Sequence, residues 1–180
     1  RDPFRILCFG RLSGYKSAGP LQLLQDASFL KKKIPSLEIT FVGGGWRAWK
    51  CRLMAARANR EAGKQFIRIA GTRTDPQPWF EKSTVIFAGA ISAVESMLAH
   101  RPVVAVSGYW VGLLSPDNLD TAFACYFGER GGKFLVREAP ECMTKEALQI
   151  YNRWEQAVME RNIGALRSTV ETWYRREDAA

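Results

Sequence analysis

Histidine is almost absent from this chain: one residue, His100, in 180. A histidine-based catalytic centre or metal site has little to be built from, and His100 itself falls at the end of an expected helix. Cysteine is sparse as well. Cys8, Cys51, Cys125 and Cys142 are widely scattered, with no C-x-x-C. That excludes the usual zinc spacing and argues against a disulfide scaffold, and it fits free thiols in a reducing cytoplasm. No uninterrupted apolar run approaches the roughly 18 residues that a membrane-spanning helix needs. The first strand is followed neither by G-x-x-x-x-G-K-[ST] nor by G-x-G-x-x-G, so the phosphate-loop and dinucleotide fingerprints both fail there. A signal-peptide layout is also missing. The start, Arg1-Asp2-Pro3-Phe4, enters almost at once into a strand-like run, which reads as one domain cut from a longer protein.

What is present is an ordinary globular composition, 47% hydrophobic and 24% charged, in a length that suits one domain with a real core. The net charge of +8 is unevenly placed: residues 1–64 hold 13 basic and 4 acidic side chains. A basic first part implies an anionic partner, whether phosphate groups, an anionic membrane surface or nucleic acid. No recognised nucleic-acid motif accompanies it.

Short apolar runs alternate with amphipathic ones. Strands are expected at 5–9, 37–42, 66–70, 84–88 and 102–106, rich in Val, Ile and Phe and mostly without strict alternation, as in strands covered on both faces. Helices are expected from Pro20 to Lys33, Trp46 to Ala62, Asp75 to about Phe80, Ser92 to His100, and from an N-cap at Ser115 to Phe127. A terminal helical extension covers 141–180, with its helix at Thr144 to Arg176 and a candidate break at Gly164. Strand–helix alternation predicts an α/β fold: a Rossmann-like, doubly wound parallel sheet of five to six strands, with helices on both faces and C-terminal helices. Gly10, Gly43-Gly44-Gly45, Gly71, Gly89 and Gly108 each follow one expected strand. In open parallel sheets ligands bind at that carboxyl edge.

Two stretches carry candidate chemistry. In FGRLSGYKSAG, Phe9 to Gly19, a strand end is followed by Gly10, Arg11, a flexible loop and Lys16, just ahead of a helix. A guanidinium can grip phosphate through two hydrogen bonds and an ammonium adds a point charge, while a helix N-terminus favours anions. Two solvated cations on a surface loop would read the same way, and spacing alone leaves both open. In FAGAISAVESMLAHRPVVAV, Phe87 to Val106, Glu95 either caps a helix through the S-x-x-E spacing with Ser92 or meets ribose hydroxyls at the ligand edge; spacing favours the cap.

Together with LEITFVGGG, these stretches resemble, in the same order, the C-terminal donor-binding domain of the group 1 glycosyltransferases. These are retaining enzymes of the two-domain GT-B architecture, and the resemblance covers roughly residues 5–128. It implies that Gly10, Arg11 and Lys16 hold the diphosphate of a nucleotide-sugar, that Glu95 holds the ribose, and that backbone amides at Gly89 and Ala90 approach the sugar or phosphate. Gly71 and Thr72 would lie near the base. The nucleotide-sugar is then a substrate, with no cofactor and no metal required. The acceptor and the catalytic groups would belong to a missing N-terminal domain, so the fragment would bind donor without turnover. The resemblance further suggests cell-envelope polysaccharide synthesis; the thiols fit a cytoplasmic enzyme, and the basic stretch from Trp46 to Lys64 offers it peripheral contact with the inner face of the membrane. Two departures stand out. The family's first acid, eight positions before the ribose glutamate, is Phe87 here, and Lys16 is followed by Ser17-Ala18-Gly19 instead of directly by glycine. A sugar-nucleotide epimerase-like domain or a non-catalytic Rossmann-like binding domain would share the architecture.

Two further patterns are expected to be packing. Trp46, Trp49, Leu53 and Ala56 lie on one face of a basic helix, whose alternative use is contact with an anionic membrane. Leu148, Tyr151, Trp154, Val158, Ile163, Leu166, Val170 and Trp173 recur at near-helical spacing. Tyr109 and Trp110 read as loop aromatics after the fifth strand.

Overall fold

In a computed structural model, which describes residues 2–159, five strands run parallel: Phe4–Phe9 (β1), Leu37–Val42 (β2), Ile67–Gly71 (β3), Val85–Ala88 (β4) and Val103–Val106 (β5). Their order in the sheet is β3-β2-β1-β4-β5. VIFA and VVAV, the whole of β4 and β5, are buried at every position, because helices cover both faces of the sheet.

The sheet is larger than the sequence implies. Tyr109–Leu113 (β6) and Phe134–Leu135 (β7) continue it beyond β5, and both pairings are antiparallel. Tyr109 and Trp110 are therefore strand residues, and Trp110 is buried in the core. Gly112, at φ +102, interrupts the apolar run of β6, and β7 has only two residues. Neither leaves a period-2 signal.

Among the described residues six α-helices accompany the sheet: Ala18–Lys33 (α1), Ala48–Glu61 (α2), Gln77–Lys82 (α3), Ala90–Leu98 (α4), Leu119–Ala124 (α5) and Glu141–Met159 (α6). Alternate residues of β1 feed opposite layers. Phe4, Ile6 and Cys8 pack with Leu23 and Ala27 of α1, Cys51 and Ala55 of α2 and Ala147 of α6. Leu7 packs in the opposite cluster with Phe80 of α3, Ala93 of α4 and Ala122 of α5. Helix α6 closes over the start of β1, where the rings of Tyr151 and Trp154 lie 5.3 and 5.4 Å from that of Phe4. Thr144 Oγ1 also donates to Asp26 of α1 at 2.6 Å. This part of the terminal stripe is packing; Ile163, Leu166, Val170, Trp173 and the candidate break at Gly164 lie outside the described residues.

Three local expectations are corrected. The N-cap at Ser115 forms, with the Asn118 side chain accepting from the Ser115 amide at 2.9 Å. The chain there opens as a short 3-10 turn, however, and α5 ends at Ala124 because Tyr126 and Phe127 turn left-handed (φ 52 and 53). Secondly, α4 begins at Ala90 with Gly89 as its N-cap, so Ser92 is already inside the helix and no Ser92–Glu95 capping box exists. Thirdly, α2 buries Ala48, Cys51, Ala55 and Ala58, while Trp46, Trp49 and Leu53 are exposed at 64%, 62% and 64%. The small side chains let α2 pack close to α1 and β3, and that approach leaves no room for indoles between them. No described helix is long and apolar enough to cross a membrane.

The loops at the carboxyl edge are joined backbone to backbone. Gly10 N donates to Val42 O at 3.0 Å, Gly43 N to Gly71 O at 2.9 Å and Leu12 N to Gly44 O at 2.9 Å. A Cβ on Gly43, whose φ is +149, would stand 1.8 Å from the Gly10 carbonyl oxygen. Gly43→Ala is expected to lower stability by about 3 kcal/mol, from clash and backbone strain combined. Urea unfolding of the two proteins, followed by far-UV circular dichroism, measures it; an unchanged midpoint would show that the two loops can part without cost.

Candidate functional site

The carboxyl edge of β1, β4 and β5 opens into a cleft of about 380 Å³. Its walls include Gly10 and Arg11 after β1, Lys16 from a 3-10 turn at Gly14–Ser17, Gly89 to Ser92 at the start of α4, Ser107 after β5, and Tyr126 and Glu129 from the loop after α5. A second cleft lies beside it, lined by Ser13, Gly43 to Gly45, Thr72 and Arg73, and shares Phe9, Gly10, Arg11 and Ser92 with the first. The two are therefore contiguous across Arg11.

Each group is placed by its surroundings. The 3-10 turn carrying Lys16 is fixed by buried Ser17, whose Oγ donates to Gly14 O at 2.8 Å and accepts from Arg47 Nη1 at 3.2 Å. Arg47 also stacks on Trp46, its guanidinium carbon 4.7 Å from the ring centre. The first turn of α4 is uncapped: Gly89 has no side chain to offer, so N–H groups there keep no intrahelical partner where Ala90, Ile91 and Ser92 line the cleft. Ala90 is left-handed at φ 52, a conformation that costs a residue with a Cβ and that gathers at ligand sites.

The two cations differ. Arg11 is exposed, lines both clefts, and has no hydrogen bond or ion pair among the described residues. Lys16 is ion-paired with Glu129 through Oε1, and Tyr15 Oη donates to the same oxygen at 3.3 Å. The hydrogen bond from Lys16 holds the Glu129 carboxyl below the ordinary carboxylate range, against the opposing effect of burial. Glu129 stays ionised there, and it is the one carboxylate among the lining residues of the first cleft.

The structure thus gathers Gly10, Arg11, Lys16, Gly89 and Ala90 around one cleft. Thr72 is in the neighbouring cleft, and Gly71 ends β3 just before it. Glu95 is exposed on α4, about one turn past Ser92, and lines neither cleft. Phe87 is 1% exposed in β4, at the floor of the first cleft. His100 follows the far end of α4. Sequence reading missed Glu129. Its only local signal is FGERGG, charge set among glycines just after an expected helix end.

No family model and no curated protein matches this sequence. Solved structures match in fold. S. aureus TarM, in a mutant form crystallised with fondaparinux, alpha-GlcNAc-glycerol and UDP, aligns with a TM-score of 0.61 at 19% identity, over 96% of this chain and 33% of that one. Thermobaculum terrenum O-GlcNAc transferase aligns with a TM-score of 0.53 at 17% identity, over 96% and 32%. The catalytic domain of cholesterol-alpha-glucosyltransferase from Helicobacter pylori gives 0.53 at 15% identity, over 96% and 98%. The chain spans about a third of the TarM chain. With its mostly parallel seven-stranded sheet covered on both faces, it has the Rossmann-like fold of a GT-B glycosyltransferase domain.

Proposed function

We propose that this chain is the donor-binding domain of a retaining, GT-B hexosyltransferase. The observation that carries the reading is the single cleft joining Arg11, Lys16 and the uncapped start of α4 at the carboxyl edge of the sheet. A nucleoside diphosphate fits that chemistry. Its two phosphates meet a free guanidinium, an ammonium and unpaired helix N–H groups, all suited to negative charge.

As the bond from the anomeric carbon to the diphosphate oxygen breaks, negative charge grows on the leaving phosphate. Donors already in position stabilise that charge without rearranging. Arg11 and Lys16 take this role. The base lies in the second cleft near Gly71 and Thr72, and the ribose reaches along α4 to Glu95. The missing half of the enzyme, which supplies the acceptor site and the catalytic groups, is a separate N-terminal domain; this chain alone binds donor and does not turn it over. UDP was crystallised with TarM, which makes it the first ligand to try.

Calorimetry with UDP, GDP and ADP and their sugar conjugates tests this. Arg11→Ala and Lys16→Ala are each expected to weaken diphosphate binding by tenfold or more, the scale of a lost charge-assisted hydrogen bond. Glu95→Ala weakens it too while leaving the melting temperature unchanged, since no helix cap is lost. Wild-type binding that survives all three substitutions would end the assignment.

The exposed face of α2 supports contact with an anionic membrane surface, on the cytoplasmic side where four unpaired thiols belong. Trp46 in the turn before α2, and Trp49 and Leu53 on it, are exposed beside Lys50, Arg52, Arg57 and Arg60, which suit lipid phosphates. The chain is expected to sediment with phosphatidylglycerol vesicles at low salt and not with phosphatidylcholine vesicles. Trp46→Ser combined with Trp49→Ser abolishes that sedimentation; equal pelleting of the variant would rule the contact out.

A further inference from the structure

A cleft that grips a diphosphate gains nothing from a carboxylate beside one of its two cations, yet this one holds Glu129 against Lys16. The fold goes to some length to put it there. Tyr126 and Phe127 are left-handed, and Gly128 follows at φ +85. These three positive φ values turn the chain back over the sheet edge, and two of them fall on residues that carry a Cβ. The turn is then locked: Tyr109 N donates to Gly128 O at 3.1 Å, and a Cβ at position 128 would sit 2.5 Å from the Tyr109 carbonyl oxygen. Arg130 N donates to Cys125 O at 3.0 Å on the other side. Glu129 is therefore held from both flanks, with its side chain 17% exposed.

Both of its contacts use Oε1. Oε2 has no partner among the described residues and is not buried, so one ionised oxygen remains open beside the first cleft. In a nucleotide-sugar the ring is attached to the outer phosphate; with that phosphate on Lys16, Glu129 would stand beside the sugar. An ionised carboxylate accepts hydrogen bonds from hydroxyl groups strongly and repels a second acid. The position at which the resembled family carries an acid is Phe87, an inward-facing strand residue that can accept nothing.

We propose that Glu129 is the specificity-determining carboxylate of the donor site: it accepts hydrogen bonds from the hydroxyls of a neutral sugar through Oε2, while Oε1 stays on Lys16. The assignment rests on the diphosphate site described above. It selects uncharged, hydroxylated sugars over uronic acids, and it moves the sugar-reading group from the strand edge of β4 to the loop after α5.

The test is calorimetry with UDP, UDP-glucose and UDP-glucuronate on the wild type and Glu129→Gln, with the GDP or ADP conjugates substituted if the chain binds those diphosphates instead. Wild type is expected to bind UDP-glucose at least tenfold more tightly than UDP and to disfavour UDP-glucuronate. The variant keeps or gains affinity for UDP, because a competitor for Lys16 is gone, and loses both preferences. A merely structural role for Glu129 would move all three affinities together. If wild type shows no gain from glucose, or the variant keeps the same ratios, the proposal is overturned. Failure of wild type to bind any of the three diphosphates is a different result, which removes the donor site itself.

Discussion

The loops after β1 and β2 approach so closely that main chain meets main chain, with no side chain between Gly10 and Gly43. Everything proposed for the donor edge depends on that approach. It extends the hydrogen-bonding of β1, β2 and β3 past the ends of the strands, and it fixes where Arg11 leaves the sheet. Arg47 carries the same framework onward, its amide bonded to Leu12 O at 3.0 Å and its guanidinium to Ser17. The 3-10 turn holding Lys16 is thus referred back to α2. Two cations five residues apart are positioned by a scaffold that owes little to either of them.

Much of this could be read in the residues. The five parallel strands, the glycine after each, and the placing of Gly10, Arg11 and Lys16 at one edge all follow from local apolar runs and turn chemistry, because a parallel sheet brings successive strand ends together whatever lies between. Other features depend on distant partners. Ser92 and Glu95 have a capping-box spacing, yet the helix starts two residues earlier, at Ala90, so the pattern has no helix end to cap. Trp46, Trp49 and Leu53 have the right period for burial, but α2 starts only at Ala48, and its alanines and Cys51 permit a closer fit and take the inner face. Strand β7 exists only because β6 offers it an edge. Glu129 was invisible for the same reason: it is 113 residues from Lys16 in the chain and touches it only through the fold.

The electrostatics change meaning with the structure. By sequence the first third of the chain is a basic region and little more. In the folded protein its cations divide among separate tasks. Arg5 pairs with Glu38 at 3.1 Å on neighbouring strands, Arg57 with Glu61 along α2, and Lys31 caps the end of α1 by donating to Pro35 O and Leu37 O, both at 2.7 Å. Arg11 is left over, solvent-facing at the junction of two clefts. The excess positive charge matters less than where Arg11 stands, a guanidinium without a partner among the described residues that lines both clefts.

The antiparallel ribbon β6–β7, together with α5 and the loop it frames, hangs from one side of the five-stranded parallel unit. Residues 107–135 are joined to the rest by one strand pairing, β5 with β6, by the core side chains of Trp110, Ala122 and Phe127, and by Glu129 on Lys16. Such an attachment ties the sheet's distal flank to the cleft, so that a change in its length would shift Glu129 relative to Lys16.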